Sequence, residues 1–141
     1  MKNPGRAIRD AYMAALAGIT YGGNAVTVYD NMPIETTPDR YVYINAIDYT
    51  QDGNNQLFIH TGTVTMDVVV KRYKKIELDV VDDIALSVQN AILALPTSTL
   101  TDANFQFLGV TLESARYLSE EDGAYHITRK LIRFSQTLIE K

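Results

Sequence analysis

Cysteine is absent from this 141-residue chain, and so is tryptophan. Without thiols there is no disulfide framework, no thiolate zinc site, no iron–sulfur cluster and no cysteine nucleophile, and the redox compartment stays open. Histidine is scarce as well: His60 and His126 are the only two, and neither sits in a spaced ligand motif. A first-row metal site takes three or four donors, so no metal and no cofactor are expected. The two histidines are instead expected at a loop edge (His60) and on a sheet face (His126). Positive charge is in deficit, with 13 Lys and Arg against 17 Asp and Glu. Proteins built to grip a phosphate backbone usually carry the opposite balance. No apolar run approaches the roughly 20 residues of a membrane helix. The start, Met1 to Arg6, is followed by Arg9 and Asp10 and is too broken for a secretory signal, so a soluble, intracellularly made protein is expected. The phosphate-cradling and nucleophile-elbow motifs are missing, and two scattered histidines give no reason to choose a Ser or Thr nucleophile. The expectation is a protein that is not an enzyme.

What is present suffices for a core. Hydrophobic residues make up 46% of the sequence, and a chain of this size buries about 68% of its unfolded surface, so residues 1–141 are expected to form one domain. Asn3-Pro4 reads as a helix start, Asn capping free N–H groups and Pro tolerating the first helical position. Ile8, Tyr12, Ala15, Leu16 and Ile19 then form a stripe at helical spacing, stopped by Gly22-Gly23-Asn24. Three strands follow: one around Val26 to Tyr29, one over Arg40 to Tyr49, and one over Gly62 to Tyr73. In the last, Val64, Met66, Val68 and Val70 alternate with more polar neighbours. A second helix is predicted from Asp79 to Leu95, closed by Pro96, with Val80, Ile84, Val88, Ala91, Ile92 and Leu95 on one side. Two long strands, Phe105 to Leu118 and Ala124 to Ile139, complete the chain around a Ser119-Glu120-Glu121-Asp122-Gly123 loop. The order is α-β-β-β-α-β-β. It specifies an α+β fold in which two helices cover one face of a mostly antiparallel five-stranded sheet.

Two helices on one face leave the other bare. Simple alternation places Tyr29, Tyr41, Tyr43, Ile47, Tyr49, Val69 and Tyr73 there, and the closing strand is apolar on both sides. A strand apolar on both faces is usually buried on both. Tyrosine is enriched at interfaces, and the chain has nine. These residues are therefore candidates for a subunit interface, most economically with further copies of the same chain. The acidic group Glu77, Asp79, Asp82 and Asp83 is explained by its place at a helix start, with Asp79 as cap, rather than by carboxylate chemistry. The run Lys71-Arg72-Tyr73-Lys74-Lys75 supports a different reading. Four cations around an aromatic offer contacts to DNA through Lys71, Arg72, Lys74 and Lys75, extended by Arg129, Lys130 and Arg133 if the strands are neighbours.

The Val28-Tyr29-Asp30 strand followed by Pro33, the Tyr41 to Ile44 strand, the alternating Thr63 to Val70 strand before an acidic-started helix, and the closing hairpin with His126 to Phe134 occur in a telling order. Together they resemble the tail-terminator, or tail-completion, proteins of tailed bacteriophages. The resemblance implies a virion structural protein, made in the host cytoplasm, needing no cofactor. It implies a homo-oligomeric ring, commonly hexameric, that joins connector or portal-proximal proteins to the tail tube. DNA would pass through its lumen without sequence-specific binding. Related neck rings of short-tailed phages make a twelvefold ring the other candidate. The loops holding Gln51, Asp52, Gly53, Asn54 and Asn55, and Glu120, Glu121 and Asp122, would then reach neighbouring virion proteins. Two other classes compete: a small α+β nucleic-acid- or ligand-binding module using the Lys71 to Lys75 run, and a hydrolase pairing His60 or His126 with a carboxylate.

Overall fold

The computed structural model describes residues 3–33, 38–51, 58–93 and 100–141. In chain order these form helix α1 (Pro4–Ala15), the short strands β1 (Thr20–Tyr21), β2 (Asn24–Ala25) and β3 (Thr27–Tyr29), and the long strands β4 (Arg40–Gln51) and β5 (Ile59–Tyr73). Helix α2 (Leu78–Ile92) and strands β6 (Phe105–Asp122) and β7 (Tyr125–Glu140) follow. The fold is α+β. The main sheet is five-stranded in the order β3-β4-β5-β7-β6. It is mixed: β3 lies parallel to β4, and every other neighbouring pair is antiparallel.

Local chemistry explains the helix boundaries. Asn3 is extended, and its side chain accepts a hydrogen bond from the Arg6 N–H at 3.2 Å, with Pro4 at the first helical position. Helix α1 stops at Ala15, short of the predicted stripe, yet Leu16 and Ile19 are still buried by the turn that follows. Gly22 and Gly23, both at positive φ, close a small β1–β2 hairpin where the sequence suggested only a turn. Helix α2 begins at Leu78, so the cap position falls to Glu77 and not to Asp79. Glu77 makes no side-chain cap. Its carboxylate lies 3.2 Å from Arg72 and 3.4 Å from Lys75 instead. Leu95 and Pro96 lie outside the described residues.

Both helices pack on one face of the sheet. Ile8 and Tyr12 of α1, and Val81, Ile84 and Val88 of α2, share a single cluster with Val42 and Ile44 of β4, Val64 to Val70 at alternate positions of β5, and Ile132, Phe134 and Leu138 of β7. Each such side chain contributes about 1.5–3 kcal/mol relative to exposure. The Tyr12 hydroxyl donates to Gln136 Oε1 at 2.7 Å within this layer, so the one polar tip of a fully buried helix residue is satisfied.

A bulge in β4 changes which residues face which way. Ile44 opposes Met66, but Ala46, not Asn45, opposes the next residue, Thr65. One extra residue inverts the alternation beyond it. Ile47 therefore opposes Val64, and Tyr49 opposes Gly62, both on the helix side. Gly62 is required there, because a Cβ would stand 2.4 Å from the Asp48 carbonyl oxygen and 3.0 Å from Tyr49 Cβ. The prediction that Ile47 and Tyr49 share the helix-free face is thus corrected.

Candidate assembly surface

On the helix-free face the tyrosines of the first two strands form a connected group. The Tyr29 and Tyr41 rings meet edge to face with centroids 5.9 Å apart, and Tyr41 stacks on Tyr43 at 6.1 Å. Parallel register puts Tyr29 beside Tyr43, and antiparallel register puts Tyr41 beside Val69. Tyr43 and Val69 are buried, whereas Tyr29 and Tyr41 are partly exposed. Tyr73 sits at the far end of β5, largely exposed, with its ring 5.4 Å from that of Tyr125. Of the seven predicted interface residues, four are therefore gathered, Tyr73 flanks them, and the bulge removes Ile47 and Tyr49.

Beside the tyrosines lies a charged cluster the sequence did not reveal. Asp67 has no exposed side-chain surface, and its Oδ2 accepts from the Tyr43 hydroxyl at 2.8 Å and from Arg129 Nε at 3.0 Å and Nη2. Arg129 Nη1 donates to Glu120 at 2.6 Å. Asn45, the extra residue of the bulge, donates to the Tyr43 hydroxyl at 3.4 Å. The network thus spans β4, β5, β7 and β6 in one row. Burial, and then the Asp67 carboxylate, push the Tyr43 hydroxyl up to about 12, with Arg129 opposing. Hydrogen bonding to Asp67 strengthens the Arg129 guanidinium's hold on its proton. An Asp in a period-2 strand looks like an exposed polar partner, and only the register that sets Tyr43 against Asp67 shows otherwise.

The upper half of the same face is different in character. Past the bulge, Thr50, Thr61, Thr63, Ser135 and Thr137 surround a concavity of about 550 Å3. Four of these hydroxyls pair with one another or with neighbours: Thr50 with Thr61 at 3.3 Å, Ser135 with Thr111 at 2.9 Å, and Thr63 accepting from Arg133 at 3.4 Å.

The structure also relocates the predicted contact loops and basic patch. Glu120, Glu121 and Asp122 are the last rungs of β6, opposite Ile127, His126 and Tyr125, and the turn is confined to Gly123 and Ala124. The positive φ of Gly123 lets the chain turn tightly one residue later than the acidic run suggests. Gln51 ends β4, and Asp52, Gly53, Asn54 and Asn55 lie outside the described residues. Lys71 lies 3.9 Å from Asp122 and over the Tyr125 ring, Arg72 and Lys75 share Glu77, and Lys74 lies over the Tyr73 ring. Although β5 and β7 are neighbours, Lys130 points to the helix side and meets Asp82 at 3.1 Å. Arg129 and Arg133 face the other way, committed to Asp67 and Glu113. Among the described residues no continuous cationic stripe results. Hydrogen bonding from the Tyr117 hydroxyl is the main reason that the Asp82 carboxyl is held below the usual carboxylate range.

His60 is buried rather than at a loop edge, its ring set edge-on between Tyr49 and Phe105, with no hydrogen bond to either ring nitrogen among the described residues. His126 is partly exposed on a sheet face, 3.6 Å from Glu121. Among the described residues no group of three or more His, Cys, Asp or Glu is placed to hold a metal ion, and no helix is long and apolar enough to cross a membrane.

Strand β6 is the other conspicuous surface. It is 18 residues long and lies at the sheet's edge, with β7 as its only strand neighbour among the described residues. Leu108, Leu112 and Tyr117 on it are substantially exposed, as are Leu78 and Leu86 of the nearby α2.

No family model and no curated protein matches the sequence. Among solved structures, one described as "Virion of native gene transfer agent (GTA) particle" contains a chain similar in fold, with a TM-score of 0.69 and 15% identity. The similarity covers 96% of this chain and 96% of that chain. At this identity the likeness is one of fold.

Proposed function

We propose that this chain is a virion structural protein of a tailed phage or phage-like particle. It acts as a homo-oligomeric ring at the head–tail junction or the top of the tail tube. The observation that carries this reading is the end-to-end fold likeness to a chain of a virion particle, 96% of each chain being covered. The sequence resemblance to tail-terminator proteins points the same way from independent features. A sheet with helices on one face only, a connected tyrosine group on the other, and a long open edge is an arrangement that other subunits complete. In this role the protein needs no catalytic residue and no cofactor. It joins connector and tail-tube proteins around a DNA channel, as a hexamer or, in a short-tailed neck, a twelvefold ring.

Imaging of purified particles, with peptide mass spectrometry of the same preparation, tests the reading. Stoichiometric density for this fold between head and tail is the expected result. A chain absent from particles and free in the host cytoplasm would overturn it. The competing nucleic-acid reading predicts salt-dependent DNA binding lost on neutralising Lys71, Arg72, Lys74 and Lys75. The ion pairs to Asp122 and Glu77 offset half of that charge, so weak binding, changed little by the substitutions, is expected.

A further inference from the structure

The open edge of β6 has a counterpart on the opposite side of the same sheet. Strand β3 covers β4 only at Tyr41, Val42 and Tyr43, so among the described residues no strand pairs with the outer edge of β4 from Ala46 to Gln51. Unpaired strand edges are templates for further pairing. We infer that rings of this chain close by strand addition, Ser114–Asp122 of β6 in one copy pairing antiparallel with the β3–β4 edge of the next. This rests on the ring proposed above and names the surface that builds it.

Strand direction supports this occupant. With β4 taken as up, β3 and β7 also run up, while β5 and β6 run down. The rotation that relates copies in a ring keeps up as up. A downward β6 therefore meets an upward β3–β4 edge, giving the antiparallel ladder that forms most readily. The segment is set by the bulges of β6, between Leu108 and Thr111 and between Leu112 and Ser114. Bulges spoil an edge for pairing, and beyond them Ser114–Asp122 is an unbroken run against β7.

Helix cover selects the same occupant over a twofold β6-to-β6 pair. Helix α1 packs over β4 and α2 over β5 and β7; β6 meets α2 through the Tyr117–Asp82 hydrogen bond, yet Leu112 and Tyr117 on its helix side stay substantially exposed. Placing the next copy's β4 beside β6 brings that copy's α1 alongside these residues. Pairing two β6 strands would set two sparsely covered strands together and bring no further helix over Leu112 or the exposed half of Tyr117 in either copy.

Two measurements on the full chain test the inference. Hydrogen exchange of residues 114–122 is compared between the monomer and the assembled oligomer, with light scattering reporting the state of each sample. Slowing of these amides by at least about tenfold on assembly is expected. The absence of native cysteine also permits clean cross-linking on the helix-free face. Double variants combine Ser114→Cys or Arg116→Cys on β6 with Thr27→Cys or Asp48→Cys on the other edge. At least one should give a ladder of disulfide-linked multimers on oxidation, while the single variants stay unlinked. An oligomer in which residues 114–122 exchange as in the monomer, or single β6 variants that form covalent dimers, would overturn the edge pairing while leaving the virion reading intact. A chain that stays monomeric at every concentration and with purified particles would overturn both.

Discussion

Replacing Arg129 with Met should be among the most damaging single changes on the helix-free face. The substitution keeps the aliphatic stem over the sheet and deletes only the guanidinium. What remains is the Asp67 carboxylate, with no exposed side-chain surface, its Tyr43 donor, and an Oδ1 that already lacks a partner among the described residues. Removing one member of a buried pair costs about 3–5 kcal/mol, because the surviving charge is stranded out of water. Arg129 is itself partly exposed, and its contact with the exposed Glu120 adds little. The lower part of the range, about 3 kcal/mol, is therefore expected. With a urea slope of about 2 kcal/mol/M, this moves the unfolding midpoint down by about 1.5 M. The chain has no tryptophan, so far-ultraviolet circular dichroism is the suitable probe. Asp67→Leu combined with Arg129→Met removes both charges at similar volume and should recover most of the loss. A single variant that loses under 1 kcal/mol, or a double variant worse than the single, would refute the view that Arg129 serves chiefly to neutralise Asp67.

Three further outcomes are expected. Gly62→Ala should cost about 1–3 kcal/mol, since its Cβ meets the Asp48 carbonyl at 2.4 Å and the β4 backbone has to move; a thermal midpoint equal to wild type would show that the bulged strand yields freely. Tyr12→Phe removes a buried hydrogen bond to Gln136 and should cost about 1–2 kcal/mol in urea titration, with no cavity formed. Stability should fall at alkaline pH. Tyr43 titrates near 10 when unfolded and about 12 when folded, so between those values the folded state holds a proton the unfolded state has lost. The contribution is full below about 10 and lost as pH rises through about 12. Burial raises Tyr12 in the same direction, so Tyr43→Phe should flatten the decline only in part, and a pH profile identical to wild type would contradict the assignment.

Periodicity carried most of the architecture. The Asn3-Pro4 start, the alternation of Val64 to Val70 and the long closing hairpin are local signals, and each element formed where its spacing indicated. What periodicity could not carry was pairing. The parallel placement of β3 depends on a connection rather than on a pattern, and the bulge at Asn45 is visible only as a slip between two strands. The burial of His60 follows from Tyr49 arriving beside it after that slip, and from Phe105, which the chain reaches much later. Asp67 was missed for the same reason: its partners Tyr43 and Arg129 come from strands on either side.

The slip at Asn45 also divides the helix-free face, and the division bears on assembly. Uniform alternation would have added Ile47 and Tyr49 to Tyr41 and Tyr43 on that face. Inverting it turns Ile47 and Tyr49 to the helix side, where Tyr49 lies against Gly5 of α1 while still partly exposed, and leaves Asp48 and Thr50 outside beside Thr61 and Thr63. The lower half of the face retains Tyr29, Tyr41, Tyr43 and Val69, and its charges are already matched through Asp67, Arg129 and Glu120. The upper half is a concavity walled by hydroxyl groups. Apolar burial drives association at about 25 cal/mol per Å2, whereas hydroxyls that already bond to one another gain little from a partner. A neighbouring subunit or virion protein that covers this face therefore gains most over the tyrosine half. Tyr41→Ser, by this reasoning, should weaken assembly far more than Thr63→Ala, and equal effects of the two on oligomer mass would remove the tyrosine group from the interface.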